Sequence, residues 1–260
     1  MLLDLQKDII YGPIHSRRLG RSLGINLLPS AKKTCTFNCV YCQYGWAEIH
    51  RAGKIGNVSF PSVEDVRKAL KKALTALKES PSYITFSGNG EPTLHPHFGQ
   101  MVKEVTVIRN ELAPEAATAI LSNSALVSRK GIREAILKLD VRIMKLDCGI
   151  LKMFRRYNQP CSDVGLEEIT EGLAEMPGVT IQTLVSSGKS GNLEARNIKE
   201  WIKRIKKIRP VLVQLYTLDR DYPDKDLRPA TKDDLNHIKK QAEKAEIAIK
   251  IYENRIRSSA

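Results

Sequence analysis

The sequence predicts an α/β fold built as a partial (β/α)6 barrel. Three observations carry that reading. Short apolar runs alternate with longer amphipathic stretches, as a parallel sheet with crossover helices requires. There are six such alternations. Polar residues then collect at the C-terminal ends of nearly all the runs, in "SGNGEP", "SNS", "KLDCG", "TLVSSG" and "YTLDRD". Many strand ends feeding one site is the layout of a barrel mouth, whereas a doubly wound open sheet concentrates its site at one switch point.

The strands are expected at 23–28, 83–88, 118–123, 142–147, 179–185 and 211–218, each rich in apolar residues and mostly followed by Gly, Asn, Pro or Asp. Helical patterns lie near 62–79, 97–112, 128–139, 165–176, 192–208 and 231–245. Two helix starts are marked by capping boxes, Ser62 with Asp65 and Thr231 with Asp234. In "NIKEWIKRIKKIRP" the apolar positions Ile198, Trp201, Ile202, Ile205 and Ile208 fall on one helical face, so the lysines are expected to coat the other. A last strand-like piece, 247–253, closes or flanks the barrel edge. Residues 1–220 thus read as a core barrel and 221–260 as a C-terminal helix–strand extension packed on it. No repeat, low-complexity tract or Gly/Ser/Pro-rich linker interrupts the chain.

Composition narrows the function classes. Against 29 Asp and Glu stand 42 Lys and Arg, a formal charge of +13, which favours polyanionic partners, nucleic acid first. A lysine-rich solvated surface would give the same balance. No apolar run approaches the roughly 18 residues of a membrane span, and "MLLDLQKDIIYGP" carries charges where a signal peptide would be apolar. The expected address is the cytoplasm, where thiols stay reduced and a tight cysteine cluster binds metal or does chemistry.

Of the five cysteines, three crowd into eight positions, Cys35, Cys39 and Cys42, spaced C-x3-C-x2-C just after the first predicted strand. Two metal readings compete. Three thiolates hold three irons of a [4Fe–4S] cluster and leave the fourth iron open to an outside ligand, or zinc sits in a closed Cys3His site completed by His50. Cys148 and Cys161 are too far apart in sequence to argue a second cluster and read as buried thiols. His95 and His97 in "LHPHF" read as surface or capping residues.

"CTFNCVYCQYG" resembles the cluster motif of the radical S-adenosylmethionine (radical SAM) superfamily, including the aromatic Tyr41 before the last cysteine. "TFSGNGEPTLHP", "LSNSAL", "KLDCG" and "IQTLVSSGKSGN" resemble its elements at strands two to five, so the resemblance covers about residues 20–218. It implies a [4Fe–4S] cluster, S-adenosyl-L-methionine (SAM) on the fourth iron, and a low-potential electron donor of the flavodoxin or ferredoxin kind. SAM would be cleaved reductively to a 5′-deoxyadenosyl radical that abstracts hydrogen from a substrate. In that frame Glu91 with Gly88 and Gly90 suits the methionyl ammonium, although Asn89 stands between glycines that are usually paired. Ser122, Asn123, Asp147 and Gln182 match positions near the ribose and carboxylate. Tyr41 and the Leu215–Tyr216 pair compete between packing on adenine and ordinary core. Lys145 should share a strand face with Asp147.

"SGNGEPTLHP" and "IQTLVSSGKSGN" look most like the archaeal wyosine-base synthases that modify transfer RNA. Those hold a second cluster on upstream cysteines, and none precedes Cys35 here, so a shorter relative with a simpler radical step on an RNA base is expected. A glycyl-radical activase acting on a partner protein, and a zinc-stabilised RNA-binding protein without catalysis, are the alternatives.

Overall fold

The computed structural model describes residues 1–53 and 58–252; the last predicted strand residue and the end of the predicted extension, 253–260, lie outside them. The chain opens with an antiparallel hairpin, β1 (Ile10–Ser16) and β2 (Gly20–Ile25). A small ribbon follows, β3 (Thr34–Cys35) beside β4 (Ile49–His50). Then come α1 (Val63–Ala76), β5 (Tyr83–Phe86), a 3-10 turn (Pro92–Leu94), α2 (Phe98–Leu112), β6 (Ala117–Ser122), α3 (Lys130–Leu137) and β7 (Val141–Lys145). The second half runs α4 (Leu151–Tyr157), α5 (Leu166–Ala174), β8 (Val179–Leu184), β9 (Ser186–Gly188), α6 (Ala195–Ile208), β10 (Leu212–Tyr216), β11 (Leu227–Pro229), α7 (Lys232–Lys244) and β12 (Ile249–Tyr252).

One eight-stranded sheet organises all of this, in the order β1-β2-β5-β6-β7-β8-β10-β12. Every neighbouring pair except β1–β2 is parallel. The six predicted strands are β2, β5, β6, β7, β8 and β10, in sequence order across the sheet. β12 pairs along β10 from Val213–Ile249 to Tyr216–Tyr252, so the C-terminal helix–strand unit extends the same sheet. The two capping boxes form, with Asp65 N–H donating to Ser62 Oγ and Asp234 N–H to Thr231 Oγ1, both at 3.1 Å.

The two faces of the sheet differ. Leu23, Ile25, Ile84, Phe86, Ile120, Met144, Ile181, Val213 and Leu215 are all buried and face the helices. The register puts the alternating positions, Gly24, Thr85, Ala119, Leu121, Ile143, Lys145, Gln182 and Gln214, on the opposite face. Parallel sheets buried under helices on both sides are apolar on both sides; here the row Lys145, Gln182 and Gln214 is polar. The sheet also curls. Laid flat, β2 and β10 would stand about 24 Å apart at the usual strand spacing. Yet Arg18, in the turn between β1 and β2, places its guanidinium 4.7 Å from the Tyr216 ring centroid, and Arg17 Nη2 lies 2.7 Å from Asp219 Oδ2.

Two predictions from single residues need adjusting. Helix α6 buries Ile198, Trp201, Ile205 and Ile208 as the spacing requires, with Ile202 only half-buried. It sits so close to Gly149 that a Cβ there would lie 2.0 Å from the Trp201 nitrogen. Its cations pair with glutamates of α5 and of its own first turns, Arg204 and Lys207 with Glu167 and Lys203 with Glu200. Such exposed pairs contribute little. His97 does occupy the N-cap position of α2, but His95 is not a surface residue. It is 2% exposed, accepts from the His97 N–H at Nδ1 and therefore donates from Nε2 to Pro61 O at 2.9 Å.

Candidate functional site

The cysteine segment begins at the end of β3 and is strapped on both sides by backbone hydrogen bonds. On one side Thr34 N–H donates to Asn89 O at 3.0 Å and Glu91 N–H to Thr34 O at 3.1 Å. On the other, Asn38 N–H donates to Gln159 O, Val40 N–H to Tyr157 O and Cys161 N–H to Thr36 O, all within 3.0 Å. The loop after β5 and the segment after α4 thus form two rails for the cysteines. Close approach explains one glycine of "GNGE": a Cβ on Gly90, at φ +143°, would stand 1.8 Å from Thr34 O. The intervening Asn89 points away from the site. Its side chain accepts from Gln6 N–H at 2.7 Å and donates to Gln6 O and Pro29 O, tying the N-terminal segment down.

All five cysteines are free. Two thiols of the trio have amide donors brought from elsewhere. Asn123 Nδ2 lies 3.5 Å from Cys35 Sγ and Asn158 Nδ2 lies 3.4 Å from Cys39 Sγ. Lys33 is only 2% exposed; burial pulls its ammonium down, but the nearby sulfurs, Cys42 first, outweigh it and carry it above the ordinary lysine range. Its Nζ donates to Gly45 O. Burial pushes the Cys35 thiol up to about 12 and the Cys39 thiol to about 11. Those two are therefore protonated until a metal displaces the protons. The donors around them are the kind that stabilise the sulfur charge metal binding creates.

His50, the fourth ligand of the zinc alternative, has its Nε2 at 3.1 Å from Thr36 O. Cys148 and Cys161 are buried. Cys148 Sγ donates to Asn158 Oδ1 at 3.5 Å, which helps turn the Asn158 amide nitrogen toward Cys39.

The other predicted residues gather in two hydrogen-bonded groups, one along each rail. Beside Cys35, Glu91 is 1% exposed, and both its oxygens are taken. Oε1 accepts from Thr93 N–H, Thr93 Oγ1 and Ser122 Oγ, and Oε2 accepts from Asn123 N–H at 2.6 Å. Burial raises its carboxyl pKa, and these donors oppose the rise. Beside Cys39, Asp147 Oδ1 accepts from Leu184 N–H at 2.8 Å and faces Lys145 Nζ at 3.3 Å. Its Oδ2 accepts from Asn158 Nδ2 at 2.7 Å and from the Tyr41 hydroxyl. Burial alone would pull the Lys145 ammonium down; Asp147, then Tyr216, outweigh it and carry it above the ordinary lysine range. Lys145 lies over the Tyr41 and Tyr216 rings, 4.9 and 5.2 Å from their centroids, and donates to Tyr216 Oη at 2.9 Å. Tyr216 in turn donates to Gln182 Oε1 at 3.0 Å.

Cys35, Cys39, Cys42, Tyr41, Glu91, Ser122, Asn123, Asp147, Lys145, Gln182 and Tyr216 are linked by these contacts around the cysteine loop, whereas Leu215 lies on the opposite face of β10, against the helices, and does not reach an adenine beside Tyr216. Gly88, at φ +123°, faces Asn26, whose Oδ1 would meet a Cβ at 2.7 Å. Lys33, Asn158 and Gln214 were not singled out. Asn158 caps α4, a seven-residue helix too short for its period to stand out. Nothing in the sequence sets Lys33 apart from the other lysines of a basic chain. Beside the loop, a hollow of about 660 Å³ is lined by Leu2, Gly45, Tyr222 and the half-exposed ring of Trp46.

The family model "Radical SAM superfamily" matches residues 32–227. The chain is 31% identical over 92% of its length to GTPase Obg of Brachyspira hyodysenteriae, of which it spans only 34%. It is 33% identical over 82% of its length to a UPF0026 protein of Helicobacter pylori, covering 67% of that protein. Among solved structures it resembles a radical SAM methyltransferase from Sphaerobacter thermophilus (TM-score 0.63, 15% identity, 90% of this chain and 66% of that one). It also resembles TYW1 with a lysine-pyruvate adduct bound (TM-score 0.61, 18% identity, 86% of this chain and 73% of that one). At such identities the likeness concerns the fold.

Proposed function

The chain belongs to the radical SAM superfamily, and from that premise we propose that it is a radical SAM enzyme acting on a base of RNA, with transfer RNA as the substrate class. Members of the superfamily bind a [4Fe–4S] cluster and SAM. Cys35, Cys39 and Cys42 would hold the cluster. The observation that carries this reading is that Cys35 and Cys39 each have an amide donor, from Asn123 and Asn158, with the buried ammonium of Lys33 beside the same loop. When bound, the cluster and SAM supply reductive cleavage of the S–C5′ bond and a 5′-deoxyadenosyl radical for hydrogen abstraction.

The chain's own residues bind, orient and exclude water. Gly88 and Gly90 expose backbone for the methionyl ammonium, and Glu91, its oxygens held by four donors, adds negative potential while fixing that loop. Ser122 and Asn123 carry the carboxylate side of SAM through the same network. On the ribose side Asp147 locks Tyr41 and Lys145 in place, and Gln182 holds Tyr216 through its carbonyl end. Residues 1–220 form the unit that takes the cofactors, and the segment from 221 completes its wall. The half-exposed Trp46 and its hollow, next to the Gly45 carbonyl that receives Lys33, suit docking of a low-potential electron donor of flavodoxin or ferredoxin type.

RNA as substrate is supported by the formal charge of +13, since phosphate neutralisation dominates such affinity. No helix among the described residues is long and apolar enough to cross a membrane. The test is anaerobic loading with iron and sulfide, followed by reduction with SAM. 5′-Deoxyadenosine should be released, and its rate should respond to whole transfer RNA. A response to a glycyl-radical partner protein and not to RNA would replace the substrate proposal. Absence of any SAM cleavage would remove the enzymatic one.

A further inference from the structure

Among the described residues, five buried side-chain polar atoms lack a hydrogen-bond partner. Three belong to arginines, and the other two are Gln182 Nε2 and Gln214 Oε1. These two glutamines are register partners on adjacent parallel strands, and the same row continues to Lys145 on β7. They are 9% and 5% exposed. The polarity of Gln182 follows from its neighbours. Lys145 can only donate to Tyr216 Oη, and the Tyr216 hydroxyl donates in turn to Gln182 Oε1. That leaves the Gln182 amide as an unpaired donor beside the unpaired acceptor of Gln214. Buried unpaired groups cost free energy, and two of opposite kind, side by side on the inner face of a barrel, form half of a two-point recognition site.

We propose that Gln182 and Gln214 read the edge of a nucleobase inside the barrel, Gln182 Nε2 donating to a ring carbonyl and Gln214 Oε1 accepting from the adjacent ring N–H. The inference rests on the proposed RNA-base substrate and deepens it. A cyclic amide presents its carbonyl and N–H on the same edge because the ring holds it cis. A trans peptide bond points them in opposite directions and cannot satisfy both glutamines at once. The site lies one layer below Asp147 and Leu184, beneath the level of the cysteine loop. Tyr216 covers it, with Arg18 of the β1–β2 turn across the ring at 4.7 Å. On the side of the sheet where Arg17 and Arg18 reach across to Asp219 and Tyr216, the ligand would enter past flexible arginine side chains.

The test uses the cluster-loaded, SAM-bound protein and saturation-transfer NMR with free uridine and guanosine. Their N-methylated counterparts, 3-methyluridine and 1-methylguanosine, lack the ring N–H. Uridine and guanosine should bind about tenfold more tightly than the methylated pair, as expected for a hydrogen bond whose loss strands a buried group. Gln214→Met should erase that preference. Gln182→Glu, which replaces the donor by an acceptor, should also weaken both parent nucleosides, with circular dichroism confirming that each variant is folded. Equal binding of methylated and parent nucleosides, a preference that survives in both variants, or binding of a primary amide such as N-acetylglutamine amide in place of any nucleoside would each overturn the proposal. Iron and SAM are measured in the same wild-type sample. Protein that takes neither refutes the functional reading; protein that takes both but ignores the ring N–H refutes only this one.

Discussion

The two sides of the cysteine loop are built on the same plan and finished differently. On the Glu91 side a buried carboxylate meets four internal donors, and among the described residues no side chain of that network has an unpaired buried atom. On the Asp147 side another buried carboxylate is equally well held, by Leu184 N–H, Asn158, Tyr41 and Lys145. Following that network one layer inward, through Tyr216, brings Gln182 and Gln214 with their unpaired ends. Completed polar networks rigidify, while incomplete ones mark where something else is meant to bind. The first side is a frame for the loop; the second is a frame that runs into a reading surface.

Stability measurements can break this contrast. Asp147→Ala should have the largest effect, because it strands the Lys145 ammonium in the protein interior. A loss of about 3–5 kcal/mol is expected by chemical denaturation, and a loss under 1 kcal/mol would mean that the network is slack. Glu91→Gln keeps the shape but turns an amide N–H toward groups that are themselves donors. About 2 kcal/mol should be lost, and no change would show that these hydrogen bonds are not formed. Gln214→Met should behave in the opposite way. Removing an acceptor without a partner leaves stability unchanged or raises it by up to about 1 kcal/mol. A clear loss would place Gln214 in the frame.

The smallest effect is a pH dependence outside both networks. Burial holds His95 below the ordinary histidine value of 6.5. As pH falls below 6.5 the unfolded chain takes up the proton first, so stability is present above that pH and is lost on acidification. His95→Gln, which can keep both hydrogen bonds, should flatten that slope by a fraction of a kcal/mol; an unchanged slope would assign it elsewhere.

The frame was more legible in the sequence than the reading surface. Alternating strands and helices, two capping boxes and the amphipathic face of α6 are local periodic signals, and they gave the sheet within a few residues at each end. β1 went unread because its glycine, cis-proline and polar residues break any strand pattern. Asn158 and Lys33 went unread because their role depends on which sulfur they meet in space. The Glu91 motif was read for its ligand, yet the structure shows that much of its composition serves packing: Gly90 makes room for Thr34, and Asn89 ties down Gln6. Gln214 is the sharpest case. A glutamine in an apolar strand becomes informative only when its neighbours across the sheet are known.

The central claim is that Cys35, Cys39 and Cys42 hold a cluster with one iron left for SAM. Electron paramagnetic resonance of the anaerobically loaded, reduced protein tests it most directly. A [4Fe–4S] signal that changes on adding SAM, and that is lost when any one of the three cysteines is replaced by alanine, is the expected result. A cluster indifferent to SAM, or one that survives loss of a member of the trio, would contradict it.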